Sequence, residues 1–108
     1  MVSKTELLER ARAGRVVPIE VDGVELHARK FTLAERISFG ERARAKAEAP
    51  PHEYLVAGLV NADGTPYFDE AEAREFCDAD GEFAEHVCGK VLEVNGLGGK
   101  TADTVAKN

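Results

Sequence analysis

Aromatic side chains are scarce in this 108-residue chain, which has no Trp, two Tyr and five Phe. A recognition surface built on aromatic stacking is therefore not expected. Long apolar runs are missing as well: no stretch of ~18 apolar residues occurs, which excludes a membrane-spanning helix. Cysteine is limited to Cys77 and Cys88, eleven residues apart. The opening Met1-Val2-Ser3-Lys4-Thr5-Glu6 lacks the apolar h-region of a secretory leader. The expectation is a cytosolic protein whose two reduced thiols act as small core hydrophobes. There is no internal repeat and no low-complexity tract.

Basic charge is thin in the second half. Residues 51–108 carry four Lys/Arg against twelve Asp/Glu, whereas residues 1–50 carry ten against eight, for a net charge of −6. The acidic half repels nucleic acid and anionic membrane, because phosphate binding depends on clustered Lys/Arg. In the first half Arg10, Arg12, Arg15, Arg42, Arg44 and Lys46 are interleaved with Glu6, Glu9, Glu41 and Glu48. That pattern reads as solvated helix faces. What the chain does have is length for one domain and 44% hydrophobic residues. A chain of this size buries roughly two-thirds of its unfolded surface, enough for a core without metals or disulfides.

Local signals are mostly caps and turns. Ser3 precedes Glu6 at the spacing of a capping box, in which each side chain satisfies the other's backbone N–H. Leu7, Leu8 and Ala11 then form one apolar stripe, and Gly14 is the expected stop. Asp22-Gly23 lies between two alternating runs, the signature of a two-residue hairpin turn over 16–30. In that register Val21 faces Val24, Ile19 faces Leu26 and Val17 faces Ala28, which makes one face apolar. Glu20 then opposes Glu25, and Pro18 marks an edge strand. Thr32 and Glu35 open a second capped helix, with Leu33, Ile37 and Phe39 expected inward. Its Ala-rich, charged continuation to residue 48 is expected to project into solvent.

Residues 52–60 are the most apolar stretch, and periodicity alone does not separate buried helix from buried strand there. The preceding Pro50-Pro51 and the turn cluster Asn61 to Pro66 favour helix. Tyr67-Phe68 is expected to return to the core. Asp69 and Glu72 give a third capping box for a helix over 69–78. The last helix, over 82–94, carries Phe83, Val87, Val91 and Val94 on one stripe, with Ala84 and Cys88 beside it, and Asn95-Gly96 caps it. The fold expected is α+β: a mainly α-helical small domain over 1–96 with one N-terminal β-hairpin packed on a helical bundle. The helices span 32–48, 52–60, 69–78 and 82–94, and residues 97–108 form a flexible or weakly helical tail.

No catalytic or metal constellation emerges. Placing Gly64 or Gly81 at the sixth position of a calcium loop puts Leu59 or Phe76 where the first oxygen ligand belongs. Cys77, His86 and Cys88 do not have zinc spacing, since neighbours two apart on a helix point roughly 200° from each other. Gly96, Gly98 and Gly99 follow a helix, and Val94 stands where a phosphate loop has its upstream glycine. No catalytic residue, cofactor or metal is therefore assigned.

Four stretches carry a family likeness. These are Phe31-Thr32-Leu33-Ala34-Glu35-Arg36, the turn Leu59 to Asp69 with its Asp63-Gly64-Thr65-Pro66, Leu92-Glu93-Val94-Asn95-Gly96-Leu97, and the ending Ala106-Lys107-Asn108. In order and spacing over residues 24–108, the chain resembles the tail assembly chaperones of long-tailed phages. Val94 and the paired prolines at 50–51 depart from that pattern. The resemblance implies a non-enzymatic virion-assembly factor that acts in the host cytoplasm and is absent from the mature tail. Its implied partners are the tape measure protein and the tail tube protein, and many such proteins also exist in a longer, frameshifted form. Partner-binding candidates are Leu7 and Leu8 on the first helix, and Leu97 with Val105 on the tail, where the local core looks too thin to bury them. No membrane or nucleic-acid partner is expected, and the oligomeric state stays open. The rival readings are a head–tail connector or minor tail protein, and a nucleic-acid-binding regulator built on the basic first half.

Overall fold

The computed structural model describes residues 1–12 and 15–97. The elements run α1 (Lys4–Arg12), β1 (Val16–Val21), β2 (Val24–Arg29), α2 (Leu33–Arg44), α3 (Pro51–Gly58), β3 (Leu59–Val60), α4 (Glu70–Ala79) and α5 (Gly81–Val94). The fold is α+β, as expected. All three capping boxes form: Ser3 with Glu6, Thr32 with Glu35, and Asp69 with Glu72. Each box satisfies two of the backbone N–H groups that a helix start leaves open.

The hairpin adopts the expected register, with Val17, Ile19 and Val21 opposite Ala28, Leu26 and Val24. Asp22 and Gly23 take the positive φ values, 52° and 84°, that a tight turn between twisted strands requires. Ile19, Val21 and Ala28 are buried, but Val24, at the hairpin tip, is exposed. The sheet has a third strand where none is expected. Leu59 and Val60 leave the helix of residues 52–60 and pair with Ala28 and His27, which gives the order β1-β2-β3. Val60 pairs with His27 on β2, while the Leu59 N–H still donates to the Leu55 carbonyl and the Leu59 carbonyl accepts from the Tyr67 N–H at 3.1 Å, so both buried backbone groups of Leu59 keep a partner as the chain leaves the helix. Pro18 lies in β1, an edge strand, where its missing N–H costs no ladder bond.

The core is Leu55, Leu59, Val87 and Val91, all essentially inaccessible, with Ala28, Phe31, Tyr54 and Ala73 around them. The few aromatics all pack against one another. Phe31, Phe39 and Tyr54 form one cluster, with ring centroids 5.2 and 4.6 Å apart from Phe39. Phe68, Phe76 and Phe83 form another at 5.2 and 5.7 Å, and Tyr67 meets Phe68 at 5.0 Å. Phe68 returns to the core as expected, while Tyr67 stays 46% exposed at the rim.

Helix α2 departs most from expectation. It ends at Arg44 rather than residue 48, because Lys46 takes a left-handed φ of 60° that no helix continues. None of its residues is buried; Leu33 is 72% and Ile37 50% exposed. Phe39 alone points inward among its large apolar residues. Polar contacts fasten the rest. Arg36 Nη1 donates to the Asn95 carbonyl at 2.7 Å, Arg29 pairs with Glu35 at 2.8 Å, and Arg42 pairs with Glu53 at 2.7 Å.

Candidate functional site

Two faces of the basic half are uncovered. Helix α1 buries no residue, and Leu7 and Leu8 are 60% and 49% exposed. Helix α2 turns Leu33 and Ile37 outward, one helical turn apart and therefore adjacent on its surface. Both helices have capped starts and basic last turns, Arg10 and Arg12 on α1 and Arg42 and Arg44 on α2, which oppose the helix dipole. They are well-formed helices with apolar side chains in water. Fully burying one such side chain gains ≈ 1.5–3 kcal/mol, so two leucines or a Leu–Ile pair offer a partner a substantial driving force.

Of the four residues picked from sequence, Leu7 and Leu8 lie on this uncovered surface. Leu97 does not. Its N–H donates to the Leu92 carbonyl at 2.8 Å, and its side chain packs partly buried against the core, because the turn at Gly96, with φ of 71°, folds it back onto α5. Val105 lies outside the described residues. Leu33 and Ile37 were missed as surface residues, although Phe39 lies two positions from Ile37 and must face roughly the opposite way on a helix.

A second candidate is a cleft of about 410 Å³ lined by Arg29, Glu35, Phe39, His52, Val56 and Glu70. Its carboxylates are already paired. Burial pushes the Glu35 carboxyl upward, but the Arg29 guanidinium and the Thr32 backbone N–H outweigh it and leave it below the ordinary range. The hydrogen bond from Arg42 holds Glu53, also at the cleft, below its ordinary value, and Glu70 pairs with Arg74 at 2.9 Å. Arg29 also donates from Nε and Nη2 to the Ala57 carbonyl, at 2.9 and 2.6 Å. His52 Nε2 is buried without a hydrogen-bond partner, 3.8 Å from Glu70 Oε2. The arrangement is a set of neutralised ion pairs that fastens α2 to α3 and β2.

The other sequence candidates have local roles. Asp63 Oδ1 accepts from the Thr65 backbone N–H and hydroxyl at 3.0 and 2.7 Å, and Asp80 accepts from the Phe83 N–H as the cap of α5. Burial pushes the Cys88 thiol up to about 12, so at neutral pH it is protonated and behaves as a core residue. His86 Nδ1 lies 3.0 Å from Asp22 Oδ2, tying the hairpin tip to α5. The hydrogen bond and charge of Asp22 raise the imidazole above its ordinary value. This tie is at full strength below the ordinary imidazole pKa of about 6.5 and is lost as pH rises through the raised value. An NMR titration is expected to show His86 titrating higher in the native chain than in Asp22→Asn.

No helix among the described residues is long and apolar enough to cross a membrane. Comparison with protein-family models, with curated proteins and with solved structures finds no match.

Proposed function

We propose that this chain is a non-enzymatic phage tail assembly chaperone, which holds the tape measure protein and recruits tail tube subunits in the host cytoplasm. The sequence resemblance over residues 24–108 supplies the partners. The observation that carries the reading is the outward Leu33–Ile37 pair of α2, together with Leu7 and Leu8 of α1, in a domain whose own core is already closed. A long amphipathic helix buries its apolar face by lying along such a surface, with anchors spaced one helical turn apart. The ion pairs Arg29–Glu35 and Arg42–Glu53 and the bond from Arg36 to the Asn95 carbonyl hold α2 in place while its outer face stays open.

Coexpression of the full chain with a tape measure protein from the genome that encodes it tests this. The expected result is a soluble complex that purifies intact. Leu33→Asp/Ile37→Asp is expected to weaken that complex at least about tenfold, since two apolar contacts are lost and two carboxylates must be desolvated. Thermal stability should change little, because neither residue is buried. Unchanged capture by the folded double variant would sink this surface. Persistence of the chain in purified virions would instead support a structural tail or connector component and overturn the chaperone reading.

A further inference from the structure

The charges on α1 are sorted around its apolar stripe. With about 100° between successive residues, Leu7, Ala11 and Leu8 fall on one side, with Lys4 among them. Arg12 lies to one flank of this stripe and Arg10 to the other, while Glu6 and Glu9 fall on the opposite face. Glu6 is occupied there by the capping box with Ser3, accepting the Ser3 N–H at 3.0 Å. An apolar strip bordered by cations is the complement of an apolar strip bordered by carboxylates. We infer that α1 docks an acidic amphipathic helix of the partner protein, with Leu7 and Leu8 in its apolar seam, Arg10 and Arg12 against its flanking Asp or Glu side chains, and Lys4, the first residue of α1, meeting a carboxylate at the end of the stripe.

Other occupants fit less well. A second copy offers acidic helix α4, but the apolar face of α4, Ala73 with Phe76 and Cys77, already packs into its own core. Nucleic acid has no use for leucines at the centre of the contact, and a nine-residue helix with two large apolar side chains is a weak membrane anchor. Length points the same way. Isolated helices shorter than ~12–15 residues are marginal in water, so a partner that covers α1 also consolidates it. The inference rests on the proposed assembly role only in taking the partner to be helical.

The test uses the full chain and two labelled synthetic peptides of roughly 20 residues, long enough to fold as helices. They share one leucine stripe and differ in its flanks, all Glu in one and all Lys in the other. Fluorescence anisotropy should show the Glu-flanked peptide binding roughly tenfold tighter, from three exposed charge contacts made or reversed. That preference should shrink as salt rises. Arg10→Glu/Arg12→Glu is expected to abolish or reverse it. Lys4→Glu, a change favourable at a helix N-terminus, should reduce it without loss of helix. Leu7→Asp/Leu8→Asp should weaken both peptides. Equal affinity for the two peptides, a preference untouched by the charge reversals, or tighter binding to phosphatidylglycerol vesicles than to either peptide would overturn the inference. Capture of the tape measure protein with no peptide preference would overturn this inference alone. A clear preference without tape measure capture would support it and overturn the assembly role.

Discussion

Gly58→Ala is expected to lower stability by about 3 kcal/mol or more, at the upper end of what overpacking a closed core costs. Gly58 is buried at the point where α3 passes directly into β3. A Cβ there would run into Val91 Cγ1 and approach the Phe31 ring, whose Cε1 would be 3.0 Å away. Neither neighbour can retreat. Val91 is fully buried on α5, and Phe31 is held between Phe39, Tyr54 and the core. The glycine's own φ is not the issue; the requirement is close approach of α3 to α5. In thermal unfolding the midpoint should fall by roughly 10–20 °C for a domain of this size. Adding Val91→Ala to Gly58→Ala should recover part of that loss relative to Val91→Ala alone, a coupling that a double-mutant cycle reads directly. Additive losses would mean that the two residues do not meet.

Asn95→Ala should cost a similar amount, about 3 kcal/mol, for a different reason. Asn95 is the buried polar residue among the described residues, 6% exposed. Its Oδ1 accepts from the Phe31 N–H at 2.7 Å, and its Nδ2 donates to the Val91 and Arg29 carbonyls at 3.0 and 3.3 Å. Its own carbonyl accepts from Arg36. One side chain thus joins the end of α5, the end of β2 and the residue that leads into α2. Truncation strands a buried N–H, which alone costs ≈ 1–3 kcal/mol, and leaves two carbonyls without their donor. Urea unfolding measures the loss. Asn95→Asp should not rescue it, because a carboxylate keeps the bond from Phe31 but faces two carbonyls with nothing to donate. Since Asn95 also seats the start of α2, both substitutions should weaken partner capture, unlike Gly58→Ala/Val91→Ala at matched stability.

Much of this architecture follows from short-range chemistry. The hairpin register, the three capping boxes and the stripe of Val87 and Val91 were readable because each depends on residues within a few positions of one another. What escaped depends on distant partners. β3 exists because Leu59 and Val60 meet β2 some thirty residues away, and two buried apolar residues look the same in a helix or a strand. Asn95 reads as an ordinary helix cap; its bond to Phe31 spans 64 positions. Being apolar, Leu33 and Ile37 are expected inward. Yet a helix that turns Phe39 inward cannot also turn Ile37 inward, and the polar residues Glu35, Arg36 and Arg42 do the fastening instead. The surface that carries the functional reading is therefore the place where apolar character and burial part company. Under the proposed role, the tape measure protein would meet these side chains.

Hydrogen exchange on the full chain, alone and with a phage tape measure protein as the proposed partner, tests the central claim most directly. If α1 and α2 are the docking surface, amides of Lys4–Arg12 and Leu33–Arg44 should gain protection on binding, with α1 rising from near-free exchange, while those of α3 to α5 hold steady. Protection that leaves α1 and α2 unchanged and appears elsewhere, or no change anywhere, would contradict the account.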